Sequence, residues 1–515
     1  MSTSDPSVYV TTAIPFVNAR PHLGFALELC IADAYARHAR ARGRPVHFVS
    51  GTDDHSLKNV AAAERAGVPP AQFVVKHAAA FRQLLAALSI SIDSFISTSQ
   101  HPPHRPAVHA LWQACAARGD LYRAAYGGLY CLGCERFAEP DELQCAEHAA
   151  PLERVSEENW FFRLSRYGDL VRERIEAGAL RISHDGAREE TLALLREPLR
   201  DLCVSRSATR AHGWGVPVPG DPDQVIWVWF DALAYYLSAL GYGIGDSAFE
   251  RHWQGDGRRV HVIGKGVTRF HAVFWPAILE SAGLRWPSDL WVHGYLTLDG
   301  AKISKSGRTL DPVPLIEEFG ADALRYYLLR HIRTTRDGDF SRERLERAYD
   351  SELASGLGNL INRVLGLVQR GHDCRVPAAG SRTTAIDELQ AAGLALPSLI
   401  DAAFARCALD EGLHALFELI DTSNRVLDQT APWHLIRSQR LEDSGAILRA
   451  LLEVLIVIAR ELAVYLPGAG RRLHAALAPL EQPSTPACEP WRALATGAPL
   501  PPALHLFPRR TGAVS

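Results

Sequence analysis

Two short stretches of this 515-residue chain combine residue types suited to holding phosphate. In Pro21-His22-Leu23-Gly24-Phe25, an imidazole able to donate to a phosphate oxygen precedes a glycine that lets the backbone come close. A helix beginning there adds unpaired N–H groups and the positive end of its dipole. Lys302-Ile303-Ser304-Lys305-Ser306 places two lysines in a loop between Gly300 and Gly307, where they suit the negative charge that develops on a departing phosphate group. Taken singly, a turn histidine and a solvated basic loop are the better explanations; in this order along one chain the two stretches are far more specific. A third constellation, Cys131-x2-Cys134-x10-Cys145-x2-His148, offers three thiolates and an imidazole in two tight pairs. That spacing fits tetrahedral Zn2+ with every position taken by protein, hence a structural ion, holding together a segment with little core of its own. Scattered free cysteines are the alternative reading.

The elements around these residues follow from periodicity. Ser7 to Ala13 is β-rich, and from Gly24 apolar residues recur at helical spacing through Leu27, Cys30, Ile31 and Ala34. Val46 to Val49 reads as a second strand, ending in the polar loop Gly51-Thr52-Asp53-Asp54-His55, before another helix to about Gly67. This βαβα order predicts an α/β fold with a doubly wound parallel, Rossmann-type sheet, whose ligands sit at the carboxyl ends of the strands. From about 124 to 222 the pattern breaks into an inserted module. Strand and helix alternate again from Val225 (VIWVWF, then DALAYYLSAL) and from Val260. After Asp311 long amphipathic helices dominate, at 343–370, 385–405, 408–429 and 445–466, followed by a Pro-rich tail. The expected division is a first catalytic half at 1–123, an inserted zinc-knuckle module at 124–224, and a second catalytic half at 225–296. A lysine-loop region at 297–350, an all-α helical bundle at 351–480 and the tail at 481–515 complete it.

Composition is that of an ordinary globular enzyme: 47% hydrophobic, 22% charged, net charge −3. That balance neither demands nor excludes a nucleic acid, which local basic surface can hold. The start has no basic n-region before an apolar run, so no secretory signal is read. The most apolar segment, Ala446 to Leu466, carries Arg449, Glu453, Arg460 and Glu461, which makes it a core helix and no membrane span. Nine cysteines, odd in number and clustered once, point to a reduced compartment, by default a bacterial-type cytoplasm. Cys30, Cys115, Cys203, Cys374, Cys407 and Cys488 read as buried apolar fillers.

With these pieces in place, the chain resembles the class I aminoacyl-tRNA synthetases, through HIGH-like and KMSKS-like signatures at 22–25 and 302–306. AIPFVNARPHLGF, SGTDDHS, WVWFDALAYY, VIGKGVTRFHAVFWPA and GADALRYYLL are similar to segments of the methionyl-tRNA synthetases over nearly the whole length. The resemblance implies ATP-dependent activation of L-methionine, Mg2+ accompanying ATP, and transfer to tRNA(Met). It implies catalytic roles for His22, Lys302 and Lys305, and nucleotide contacts from Gly24, Phe25, Glu28, Gly264, Lys265, Ser304 and Ser306. Asp53 is implied as partner of the substrate ammonium. Ile14, Phe16, Trp229, Ala232, Leu233, Tyr236, Val267, His271 and Trp275 are implied as pocket walls, and aromatic rings do suit a thioether. Asn359, Arg363 and Trp433 are implied as anticodon readers, in keeping with the stacking and hydrogen bonding by which proteins read splayed RNA bases. No large inserted editing domain is seen, and an appended dimerising domain is absent, so a monomer is expected.

The sequence departs from that family in places. Phe25 stands where most relatives have a second histidine, and a phenyl ring donates nothing to phosphate; a lost hydrogen bond to a charged group costs roughly 1.5–3 kcal/mol. Gly266 replaces the aspartate that usually follows the GK pair, and the segment after the lysine loop is short. Ile303, in place of the signature methionine, conserves volume. Two rival readings stay open: a paralogue that activates another amino acid or analogue, and a non-catalytic tRNA-binding regulator. The first predicts a changed pocket, the second a lost lysine loop or a lost Asp53.

Overall fold

The computed structural model describes residues 6–131, 136, 137, 144, 152–298, 301, 302, 310–481, 491 and 494–510. Two compact units divide the chain. The first comprises 1–86, 90–295 and 304–311, the second 87–89, 296–303 and 312–515.

The first unit is built on six strands: β1 (Val8–Thr12), β2 (Val46–Thr52), β3 (Ser94–Ser97), β4 (Arg181–Ser183), β5 (Arg258–Gly264) and β6 (Asp289–His293). They lie in the order β3-β2-β1-β5-β6-β4, and every pairing is parallel. All five residues of β1 are buried, as expected of a parallel strand covered on both faces. The strand order reverses between β1 and β5, and open α/β sheets bind their ligands in that crevice at the carboxyl ends. The helix Leu23–Ala41 follows β1 and buries Leu27, Cys30, Ile31 and Ala34, the spacing read from the sequence.

Two features differ from expectation. The run VIWVWF is not a core strand. Its first part belongs to Asp221–Ile226, paired antiparallel in a separate three-stranded sheet, and Val228–Leu233 is helical. A short, wholly apolar run carries no periodicity to separate strand from helix. The core sheet also takes its edge strand β4 from inside the stretch read as inserted. The rest of that stretch centres on a long antiparallel pair, Leu121–Cys131 with Glu153–Phe162.

The second unit is mainly helical. Thr384–Ala405, Leu409–Thr430 and Leu441–Tyr465 match the amphipathic runs closely. The run at 343–370 begins as Arg342–Ala348, widens into a π-helical stretch at Tyr349–Gly358 and resumes as the α-helix Asn359–Gly371. In Leu441–Tyr465 the charges are internal to the fold: Glu453 accepts from the Leu494 amide at 3.3 Å, and Arg460 pairs with Glu481. Among the described residues no helix is long and apolar enough to cross a membrane. The tail packs back, burying Leu494, Leu506 and Phe507.

The approach to the site depends on one close contact. A Cβ at Gly51, next to the end of β2, would stand 2.0 Å from the Ile96 carbonyl oxygen of β3. Gly51→Ala must therefore part the two strands. It is expected to lower stability by about 2–3 kcal/mol, the scale of overpacking, measured by chemical denaturation beside the parent chain.

Candidate active site

The first turn after β1 is organised by an imidazole. His22 caps the helix Leu23–Ala41, its Nδ1 accepting the Gly24 N–H at 3.1 Å. With Nδ1 an acceptor, the ring proton of the neutral form lies on Nε2. A Cβ at Gly24 would lie 3.0 Å from His22 Cε1 and Nδ1, so glycine is what allows the cap. Phe25 is buried, its ring edge-on to Phe81 at 5.4 Å. The phenyl group thus roots the turn in the core.

One turn further on, Glu28 is buried, and its Oε2 lies 3.0 Å from His293 Nε2 at the end of β6. His293 Nδ1 donates to the Gly294 carbonyl at 2.8 Å, so the bond to Glu28 needs a second proton on one partner or the other. Burial raises the Glu28 carboxyl despite the neighbouring imidazole, and its Oε1 accepts no hydrogen bond among the described residues. At the end of β5, Lys265 Nζ lies 4.4 Å from the Tyr295 ring centre. A Cβ at Gly266 would fall 2.6 Å from Tyr295 Oη. The phenol fills the space that an acidic side chain at 266 needs, which accounts physically for that departure.

Beyond β2, the two carboxylates of Asp53-Asp54 are treated differently. Asp54 is consumed internally by Thr52 Oγ1 at 3.0 Å, by Ser97 Oγ, and by Ser99 through Oγ at 2.7 Å and N–H at 3.2 Å. Asp53 Oδ1 accepts the His55 N–H at 3.2 Å, its own N–H donates to Pro15 O at 3.0 Å, and Phe16 and Asp53 form a parallel bridge. Asn59 Nδ2 donates to both the Asp53 and Asp54 carbonyls at 2.9 Å.

The expected pocket walls come together. Trp229 stacks on Phe270 with centroids 3.7 Å apart and planes 5° from parallel, and Phe16 meets Trp229 edge-on at 6.5 Å. Ile14, Phe16, Trp229 and Val267 are partly exposed, while Ala232, Leu233, Tyr236, His271 and Trp275 are buried behind them. His271 Nδ1 donates to Val267 O at 2.9 Å, which leaves Nε2 to accept the Tyr236 hydroxyl at 2.7 Å. Burial lowers the His271 pKa to about 4, so the wall is uncharged near neutrality. Phe270 was not singled out from the sequence, although it stands in the quoted segment VIGKGVTRFHAVFWPA.

Of the metal candidates, Cys131 is buried and pairs across strands with Arg136; Cys134, Cys145 and His148 lie outside the described residues. Ser304, Lys305 and Ser306 do too, and Lys302 is described only as part of the strand Ala301–Lys302. Cys30, Cys115, Cys203 and Cys407 are buried as expected, but Cys374 is exposed. It sits at φ 55° in a left-handed turn after Asn359–Gly371, where the chain is leaving the core. Cys488 is outside the described residues. In the second unit, Asn359 is exposed, one helical turn before Arg363. Arg363 bonds Asp428 at 2.5 Å, and its guanidinium lies 5.6 Å from the Trp433 ring centre. The left-handed Ala431 (φ 42°) turns the chain into Pro432 and Trp433.

A parallel sheet whose order reverses beside β1, with a capped His-x-Gly turn at that point, is an arrangement suited to a phosphate-bearing ligand. The family model described as tRNA synthetases class I (M) matches residues 8–155 and 145–365. The methionine–tRNA ligase of Thermotoga maritima is 36% identical over 95% of this chain and 78% of its own length, and that of Brucella suis 35% identical over 97% of both. The solved structure of Mycobacterium tuberculosis methionyl-tRNA synthetase in complex with methionyl-adenylate superposes with a TM-score of 0.92. It is 34% identical and covers 98% of this chain and all of that one. This chain belongs to the methionine–tRNA ligases, and it is an aminoacyl-tRNA synthetase.

The neutral state of His271 has a cost in acid. The unfolded chain binds a proton near the ordinary value of 6.5, whereas the folded one does so only at about 4. Stability from this residue is therefore present above 6.5 and lost as pH falls toward 4, by at most about 3 kcal/mol. Denaturant unfolding of the parent and of His271→Gln between pH 7 and 4 is expected to show a shallower decline in the variant.

Proposed function

We propose that the chain activates L-methionine by in-line attack of its carboxylate on the α-phosphate of ATP, releasing pyrophosphate, and then loads tRNA(Met). The observation that carries the site assignment is the parallel bridge between Phe16 and Asp53, which sets the Asp53 loop beside the aromatic wall that Phe16 and Trp229 begin. Asp53 is the counter-charge for the substrate ammonium. The partly exposed faces of Ile14, Phe16, Trp229 and Val267, backed by Ala232, Leu233, Tyr236, His271 and Trp275, receive the thioether. A neutral His271 adds no charge to that wall and suits an apolar side chain.

His22 Nε2 and the helix N-terminus hold phosphate oxygens, with Gly24 allowing the approach and Phe25 anchoring the turn. Glu28 Oε1, Gly264 and Lys265 contact the nucleoside end of ATP, and Lys302, Ser304, Lys305 and Ser306 act on its phosphates. Mg2+ arrives with ATP and neutralises phosphate charge. No protein nucleophile is required: catalysis is positioning and charge stabilisation. Cys131, Cys134, Cys145 and His148 would hold one structural Zn2+. The two tight Cys/His pairs of the sequence support this. Asn359, Arg363 and Trp433 read the anticodon, Arg363 being pre-oriented by Asp428 and Trp433. A cytoplasmic monomer, with the six-part division read from the sequence, completes the proposal.

Amino-acid-dependent ATP–pyrophosphate exchange, run with each standard amino acid and with homocysteine, tests the reading. Exchange is expected with methionine far above every other standard amino acid. Trp433→Ala is expected to keep that exchange while tRNA charging falls by tenfold or more, about the loss of one stacked base. Absence of exchange in folded, zinc-loaded protein would sink the proposal.

A further inference from the structure

Three titratable side chains beside the pocket play no part in that chemistry. Asp231, on the same short helix as Trp229, Ala232 and Leu233, is 1% exposed. Its Oδ1 lies 2.6 Å from His104 Nε2, and its Oδ2 lies 2.6 Å from His55 Nδ1. His104 is wholly buried at the start of the helix His104–Ala117, and its Nδ1 meets Ser238 Oγ at 2.9 Å. His55 belongs to the loop that carries Asp53, and its backbone N–H donates to Asp53 Oδ1 at 3.2 Å. Trp214 closes over it, edge-on to His55 at 5.7 Å, while its indole N–H donates to the Asp54 carbonyl at 2.7 Å.

The spacing is that of hydrogen bonds. Two ligands of a tetrahedral zinc ion, each 2.0–2.1 Å from it, stand about 3.3 Å apart, whereas these N···O contacts have the length of charge-assisted hydrogen bonds. Burial alone would raise the Asp231 carboxyl. The imidazoles of His55 and His104 outweigh it and hold the group well below the usual carboxylate range. Burial likewise opposes a charge on His55, but Asp231 prevails and raises its pKa.

We propose that His55, Asp231 and His104 form a brace that holds the Asp53 carboxylate in register with the aromatic wall, and that His55 and Asp231 are thereby positioning residues for the amino acid. One carboxylate ties the loop presenting the ammonium partner to the helix carrying Trp229, and His104 fixes that carboxylate to the scaffold behind. The brace acts on the amino-acid end of the site and not on the nucleotide end. The inference rests on Asp53 as the ammonium partner. The charged or titratable groups facing His55 are Asp231, His104, and Asp53 and Asp54 of its own loop; Trp214 presents an uncharged ring. A raised His55 pKa means that its charged pairing with Asp231 is fully present below 6.5 and is lost as pH rises through the higher folded value.

The test is pyrophosphate exchange with the full chain, with methionine and ATP varied separately, for the parent, Asp231→Asn and His55→Gln. Both variants are expected to raise KM for methionine by about tenfold, the effect of losing one charge-assisted bond, with KM for ATP changed less than twofold. The parent is expected to show KM for methionine rising on the alkaline side, and His55→Gln to flatten that rise. Equal shifts in both KM values, a change in kcat alone, or parent-like kinetics in His55→Gln would overturn the brace. His55 is the more peripheral of the two residues, so it decides the matter should Asp231→Asn not fold. Lack of exchange in the parent overturns the methionine reading itself, an outcome distinct from loss of the KM split.

Discussion

β1 is hydrogen-bonded on both edges, to β2 and to β5, so the chain leaving its carboxyl end is held before any side chain is considered. The Ala13 N–H is taken by Val262 O, the Thr12 carbonyl by the Tyr235 hydroxyl, and Pro15 O by the Asp53 N–H. Inside the sheet, Thr11 Oγ1 meets His261 Nδ1 at 2.7 Å, and Thr12 Oγ1 meets Ser50 Oγ at 2.7 Å. Polar groups buried this deeply are costly unless paired, and their partners come from three separate elements. The His22 turn, the acidic loop and the aromatic wall are therefore aligned by the requirement that β1 and its exit satisfy their own hydrogen bonds.

Charge is distributed around this exit in a consistent way. Toward the aromatic wall lie neutral imidazoles: His261 and His271 both have their pKa lowered by burial, and each has a ring nitrogen within hydrogen-bond reach of a hydroxyl. Toward the acidic loop the imidazoles meet a carboxylate, Asp231. The same residue type thus serves as apolar wall on one side and as ion-pair partner on the other. The difference lies in whether a buried carboxylate stands opposite.

Much of this was legible in the sequence, because much of it is local. The helix after β1 announces itself at Leu27, Cys30, Ile31 and Ala34, and the His22–Gly24 cap spans three consecutive residues. The long helices of the second unit were visible for the same reason. What escaped was either aperiodic or remote. VIWVWF reads as one strand because a wholly apolar run looks alike in both states. The partners of Asp231 are 176 and 127 residues away, and no spacing rule joins them. The Gly266 departure could be noticed from the residues, but its cause, the Tyr295 hydroxyl, could not. Cys374 shows the converse: a small apolar residue type predicts core, but the backbone conformation here turns outward.

The π-helical stretch at Tyr349–Gly358 has an evolutionary consequence. Such a stretch holds surplus residues relative to α pitch, and each residue advances an α-helix by about 100°. Losing one residue there would let the chain relax toward α geometry, and the tighter winding would offset much of the roughly 100° that the lost residue supplied. Asn359 and Arg363 would stay near their azimuth. A single-residue loss in this stretch therefore disturbs the bundle far less than the same loss inside Asn359–Gly371, where nothing offsets the rotation.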